Sequence, residues 1–140
     1  MRAIRNLEGT FMRVNTPLFY FRYERGCLVD YGSLCKDIKI MPIDIRWGGL
    51  TPETIAEVLD DRVVPETRQG LEYEMKEAGI PYFSMENLIR YNSGISVCDT
   101  FWVRLPDGPQ TFEEAFKAMG FSEGYLEYRL RNLENPIKQE

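Results

Sequence analysis

The residues that come nearest to a catalytic arrangement are Asp30, Asp37 and Lys39, in the stretch VDYGSLCKDIKI. Two carboxylates on adjacent strands can hold Mg²⁺, and a lysine beside them can steady a nucleophilic water for the cleavage of a phosphodiester bond. A D-x-K triplet is common by chance, and an acidic chain repels DNA. We therefore expect no metal at these residues and no nuclease activity.

Most other enzyme chemistries are excluded by composition. The chain has no histidine, which removes Ser-His and Cys-His nucleophile pairs, imidazole acid–base catalysis and histidine metal ligands. Its cysteines, Cys27, Cys35 and Cys98, lack the spacing of a zinc site or a disulfide framework and are expected to be reduced, buried thiols. No phosphate-binding glycine motif occurs, and no carboxylate pair is marked out for glycoside cleavage. We expect no catalytic residue, no metal site and no cofactor.

Charged residues are concentrated in the middle of the chain. The net charge is −5, and residues 53–77, with eight acids and three bases, account for all of it. An acidic segment argues against binding to nucleic acid, which needs clustered lysine and arginine. It fits a solvated helix face, a surface for a basic partner protein, or carboxylates that mimic nucleic acid. The candidate partner-binding residues are Glu53, Glu57, Asp60, Asp61, Arg62, Glu66 and Arg68.

Two arginines lie inside this segment, in LDDRVVPETR at residues 59–68. Arg62 follows Leu59 by three residues, which places it on or beside a buried helical stripe, where its guanidinium can reach Glu66 or another carboxylate. Arg68 falls in the first turn of a second helix, where the helix dipole disfavours a cation, so a nearby carboxylate should offset it. We expect both arginines to stabilise this helix corner; the alternative is a site for a phosphate or a partner carboxylate.

The elements that would position these residues begin with strands. Period-two alternation predicts strands at residues 10–14, 17–24, 27–31 and 36–45. Arg25-Gly26 has the composition of a hairpin turn. Pro42 has no N–H to donate, so the last of these strands should lie at a sheet edge or end there. The stretch RWGGL at 46–50 should break the sheet.

Helices should follow. Thr51-Pro52 and Thr111 are N-terminal signals, and the predicted helices lie at about 52–93 and 111–134. Residues 95–105 return to extended structure, in which Phe101, Trp102 and Val103 form a buried strand or, alternatively, an aromatic binding platform. The expected fold is α+β: a single domain over residues 1–140, with a small, mostly antiparallel N-terminal sheet at about 10–46 packed against three to five helices.

The chain gives no sign of membrane insertion or export. No apolar run approaches the roughly 20 residues that span a bilayer, and the first residues lack the apolar core of a signal peptide. These observations predict a cytoplasmic protein with no membrane partner.

Several short motifs together resemble a set of small, mostly uncharacterised Firmicutes proteins related to the region that precedes the kinase domain of HipA-type toxins. The motifs are NTP at the start of a strand, D-R-x-x-P-x-T-R at a helix corner, G-I-P in a turn and D-x-F-W-V on a strand before an aromatic, acidic helix. The matching residues, which span about 12–116, are Asn15, Thr16, Pro17, Asp61, Arg62, Pro65, Thr67, Arg68, Gly79, Pro81, Asp99, Phe101, Trp102 and Val103. Because this chain has no kinase region, the resemblance implies an accessory or recognition module without a catalytic role.

Three functions remain open. The first is a non-enzymatic protein-interaction module, an accessory or antitoxin-like component of a toxin–antitoxin or mobile-element system, that binds a protein with a basic surface. The second is a phage- or element-encoded acidic inhibitor of a bacterial defence protein. The third is a metal-dependent nuclease or hydrolase. The sequence does not predict the oligomeric state.

Overall fold

The protein has an α+β fold. The computed structural model describes residues 4–63, 71–77, 79, 84–96 and 99–134. In these ranges one antiparallel sheet carries helices on both of its faces. None of the described helices has the length and apolar character that crossing a bilayer requires.

The sheet has four strands in the spatial order β3-β2-β1-β4, and every neighbouring pair is antiparallel. They are β1 (Leu7–Arg13), β2 (Thr16–Glu24), β3 (Cys27–Ser33) and β4 (Phe101–Arg104). The predicted hairpin at Arg25-Gly26 is confirmed: φ is positive at both residues, which matches the right-handed twist of the flanking strands. Since β4 pairs with β1, the sheet joins residues 7–13 to a strand about 90 positions later in the chain.

Six helices accompany the sheet in the described ranges. They are α1 (Ile43–Gly48), α2 (Pro52–Asp60), α3 (Leu71–Glu77), α4 (Met85–Asn92), α5 (Phe112–Ala118) and α6 (Glu123–Glu134). The N-caps predicted at Thr51 and Thr111 are confirmed, because each hydroxyl accepts a backbone N–H three residues later, and Ser84 caps α4 in the same way. Of the second predicted helix, which has Arg68 in its first turn, residues 71–77 are helical and 64–70 lie outside the described residues.

The strand predicted at 36–45 is wrong, and so is the extension of the sheet to residue 46. A 3₁₀ turn at Ile38–Ile40 is followed by α1. The Asp37 carboxylate caps the turn by accepting the Lys39 N–H at 3.0 Å. The alternation was too short to separate a strand from a helix, and the buried residues, Met41 and Ile45, follow a four-residue step instead.

An apolar layer covers each face of the sheet. On one face, Phe11, Phe19 and Phe21 pack against buried residues of α1 to α4. On the other face, Trp102 packs with aromatic and apolar side chains of α5 and α6. Trp102 and Val103 are therefore core residues and Phe101 is half-buried, which confirms the buried strand and excludes an open aromatic platform.

The expected burial of the cysteines is wrong where the structure describes them. Cys27 is exposed, and Cys35 is half-buried. Cys27 faces solvent because it begins β3, which forms an edge of the sheet. Cys98 lies outside the described residues.

Candidate functional site

The corner between α1 and α2 is built rigidly. Gly49 links the helices with a φ of +77°, a conformation that glycine adopts without strain. The hydroxyl of Thr54 donates to the Gly49 carbonyl at 2.7 Å and accepts the N–H of Thr51 at 2.9 Å. A Cβ at Gly48 would lie 3.0 Å from the Thr54 methyl group, so the chain passes tightly over α2. Side chains of α1 are therefore held in place relative to α2.

Two large apolar side chains of α1 face solvent. Trp47 is 85% exposed and Ile43 is 57% exposed. They are four residues apart, which puts them on the same side of the helix. Tryptophan side chains are usually buried to a large extent. Tryptophan is also the residue type most enriched at binding hot spots. Sequence reasoning missed both residues because it placed Ile43 in a strand and Trp47 in a sheet-breaking loop; the four-residue spacing ahead of Gly48-Gly49 is the signal that could have found them.

Three of the predicted acidic residues, Glu57, Asp60 and Asp61, lie close to Asp44 of α1, since the carboxylates of Asp44, Asp60 and Glu57 all act on that of Asp61. Glu53, Glu57 and Asp61 are exposed, and Asp60 is half-buried. Glu66 and Arg68 lie outside the described residues, so their part in the predicted helix corner stays a prediction. We use the name α1–α2 face for the following residues: Ile43, Asp44, Trp47, Glu53, Glu57, Asp60 and Asp61.

The negative charge of this face works against stability. Partial burial raises the pKa of Asp61 above its ordinary value of 3.8, and the nearby carboxylates of Asp44 and Asp60 raise it further, against a weaker lowering by Arg62. Asp60 and Asp61 also lie at the C-terminal end of α2, where the helix dipole disfavours anions. Charge kept where it destabilises the fold is typical of a functional site.

Arg62 follows Asp61 in the sequence, but its side chain is buried in the core. Its side chain is only 5% exposed and forms a forked ion pair with Asp99, with three N–O distances of 3.1 Å. Asp99 also accepts the N–H of Phe101 at 3.1 Å, at the start of β4. The carboxylate partner of Arg62 is thus 37 residues away along the chain and ties the end of α2 to the sheet.

The guanidinium of Arg62 is incompletely satisfied. Its Nε–H is buried and has no hydrogen-bond acceptor among the described residues. A buried donor without a partner destabilises a protein by about 1–3 kcal/mol. Arg62, Asp99 and Asp61 line a small pocket of about 150 Å³ that opens beside Ile43.

A second cavity, of about 250 Å³, lies over the open part of the sheet beside α5. Its charged residues alternate in sign across the strands: Arg22 lies opposite Glu8 on one side and Asp30 on the other. Opposite charges at paired positions stabilise a sheet and neutralise one another, so this cavity has no net charge that would select a ligand.

The Asp30, Asp37 and Lys39 arrangement is not on adjacent strands. Asp30 is on β3, whereas Asp37 and Lys39 belong to the 3₁₀ turn, where the Asp37 carboxylate is used as a cap. Among the residues that the structure describes, no group of three or more acidic or cysteine side chains is placed to hold a metal ion.

The α1–α2 face therefore combines exposed apolar area, a cluster of carboxylates and a rigid scaffold. At protein interfaces in general, an aromatic anchor supplies affinity, and charge of one sign steers a partner of the opposite sign.

No protein-family model matches the chain, and no match was found among curated proteins or solved structures. The resemblance to the region preceding the HipA-type kinase domain stays a prediction.

Proposed function

We propose that this protein is a non-enzymatic protein-interaction module that binds a partner with a basic surface on its α1–α2 face. The observation that carries the proposal is the 85% exposure of Trp47 at a rigid helix corner. A tryptophan side chain has a surface of about 200 Å². If a partner covers the exposed part of Trp47, the burial contributes about 4 kcal/mol to binding, before the costs of association are subtracted.

The charges of the same face favour a basic partner. At least four carboxylates of α2 or its C-terminus are exposed or half-buried, and the pKa of Asp61 is raised by burial and further by repulsion from Asp44, Asp60 and Glu57. A cationic surface would relieve this repulsion. The carboxylates would also attract a cationic surface from a distance, and this attraction mainly raises the association rate. Salt screens the attraction over about 10 Å at 0.1 M.

The motif resemblance supports a finer version of the proposal. It makes the protein an accessory or antitoxin-like component of a toxin–antitoxin or mobile-element system, acting in the cytoplasm, with the toxin as partner. The same face also suits the second function predicted from sequence, an acidic inhibitor that occupies a basic surface of a defence protein.

Quantitative capture from a lysate of the source organism tests the proposal. Immobilised wild type is compared with Trp47→Ala and with the charge reversal Glu57→Lys/Asp60→Lys. Two controls match them away from the α1–α2 face: Tyr128→Ala for the exposed aromatic, and Asp107→Lys/Glu127→Lys for the charge. A protein captured by wild type and both controls, but not by the two α1–α2 variants, is then identified, purified and studied kinetically.

The kinetics separate the two contributions. The charge reversal should slow association, more so at low salt, whereas Trp47→Ala should mainly speed dissociation. If the controls lose binding to the same extent as the α1–α2 variants, the surface is elsewhere and the proposal is wrong.

The nuclease alternative has its own test. Because the Asp37 carboxylate caps the 3₁₀ turn, we expect no Mg²⁺-dependent cleavage of DNA or RNA by the purified protein. Cleavage that disappears in Asp37→Ala but not in Asp107→Ala would replace the interaction proposal with an enzymatic one.

A further inference from the structure

The pocket beside Ile43 has walls of two kinds. Its sides are apolar or aromatic, and its charged groups come from three different parts of the chain. The lining residues are Phe11, Pro42, Ile43, Asp44, Val58, Asp61, Arg62, Asp99 and Phe101. With a volume of about 150 Å³, it holds one side chain rather than a peptide segment.

The charge of this pocket is negative. Asp99 is forked to Arg62, so these two groups largely neutralise each other. Asp44, from α1, and Asp61, from the end of α2, form no such ion pair within the described ranges, and the Asp44 carboxylate contributes to the raised pKa of Asp61. Burial is the larger cause of that shift, which places the Asp61 carboxyl partly out of water.

The pocket is also incomplete in its hydrogen bonding. Arg62, which lines it, is buried to more than nine-tenths in its side chain, and its Nε–H has no acceptor within the described ranges. Two carboxylates beside apolar walls are complemented by an ammonium group, whose N–H groups can donate to both.

We propose that this pocket receives a lysine side chain of the partner protein. The inference rests on the proposed function, and it identifies the group that enters the α1–α2 face. The apolar stem of lysine would pack on Ile43 and Phe101, which line the pocket and are accessible, and its ammonium group would lie between Asp44 and Asp61. Lysine fits better than arginine because a compact ammonium can be shared between two separate carboxylates, whereas a second planar guanidinium would stand against that of Arg62.

Three small probes test the choice of side chain on the full chain: n-butylammonium, n-butanol and n-butylguanidinium. Each is titrated into ¹⁵N-labelled protein while the backbone amides are followed by NMR. We expect saturable shifts from n-butylammonium, with a dissociation constant roughly in the millimolar range for so small a ligand. The shifts should be confined to amides of residues that line the pocket, such as those of Asp44, Arg62 and Phe101.

Variants show whether the carboxylates of the pocket hold the ammonium. Asp61→Asn and Asp44→Asn should each weaken n-butylammonium binding roughly fivefold, the size expected for one partly exposed ion pair. Asp107→Asn, an exposed aspartate in the turn after β4, makes the same change of charge away from the pocket and should leave binding unchanged.

Three results would overturn the assignment. Equal shifts from n-butanol would show that only the apolar walls bind. Unsaturable shifts spread over all acidic surfaces would show no specific site. Tighter binding of n-butylguanidinium than of n-butylammonium would assign the pocket to arginine.

The probe titration is independent of the capture experiment. If the probe binds but the α1–α2 variants capture the partner normally, the pocket exists and the proposed docking face is wrong. If the variants fail to capture the partner but the probe does not bind in the pocket, the docking face stands and the lysine assignment is wrong.

Discussion

Replacement of Arg62 by alanine separates a structural role from a binding role at the pocket. The substitution removes three N–O contacts of 3.1 Å to Asp99 and the apolar stem that packs in the core. It also removes the link between the end of α2 and the residues that precede β4. We therefore expect Arg62→Ala to destabilise the protein clearly.

The magnitude follows from the burial of the two partners. Removing one side of a fully buried ion pair destabilises a protein by about 3–5 kcal/mol. The Asp99 side chain is 36% exposed, so water can rehydrate it in the variant, and we expect about 2–3 kcal/mol instead. With an unfolding entropy of about 2.1 cal/mol/K per residue over 140 residues, the midpoint should fall by about 7–10 °C.

Thermal and urea unfolding measure this effect, with Arg22→Ala as the control. Arg22 forms a 3.7 Å ion pair with Glu24 at the surface, where both side chains are exposed, so its loss should cost under about 1 kcal/mol. Asp99→Asn and the double variant complete a mutant cycle, which should show a coupling energy of about 1–3 kcal/mol. If Arg62→Ala melts within about 2 °C of wild type yet abolishes partner binding, the structural reasoning is refuted and Arg62 is a binding residue.

Three further predictions concern single residues. Trp47→Ala should leave the melting temperature unchanged but weaken partner binding at least about tenfold, measured by calorimetry, whereas Tyr128→Ala on α6 should change neither. Asp61→Asn should raise the free energy of unfolding at pH 7 by under about 0.5 kcal/mol. The pKa of Asp61 in the folded protein lies above 3.8, so protonated Asp61 contributes stability below pH 3.8, and this contribution is lost as the pH rises through the pKa of the folded protein. Urea unfolding should therefore show the variant and wild type converging at about pH 3, and a stability gain that persists there would contradict this linkage. Gly94→Ala should destabilise by about 1–3 kcal/mol in thermal melting, because φ is +66° and a new Cβ would lie 3.0 Å from Val103; an unchanged midpoint would contradict the geometry.

The α+β class and several element boundaries could be predicted because they depend on neighbours along the chain. The alternation of Phe19, Phe21 and Tyr23 is a local pattern, and it correctly marks the buried side of β2. The caps at Thr51 and Thr111 are equally local, since each hydroxyl binds a backbone N–H three residues away.

The same reasoning failed between residues 36 and 46 for a physical reason. Ile38 and Ile40 alternate with Lys39 and Met41 as in a strand, yet Ile38 is exposed and Ile40 is only half-buried. In a segment this short, the pattern does not distinguish a strand from a turn followed by a helix. Burial of Met41 and Ile45 against the sheet decided between them, and that contact exists only after the chain has folded.

The candidate site shows the same division. Composition alone excluded imidazole chemistry and located the acidic segment, and residue spacing placed Arg62 beside a buried stripe. Only the tertiary structure decided that its partner is Asp99 and that Trp47 is left in solvent. Both facts depend on how distant parts of the chain pack. The ion pair joins groups 37 positions apart. The exposure of Trp47 depends on which surfaces the other elements cover when they pack.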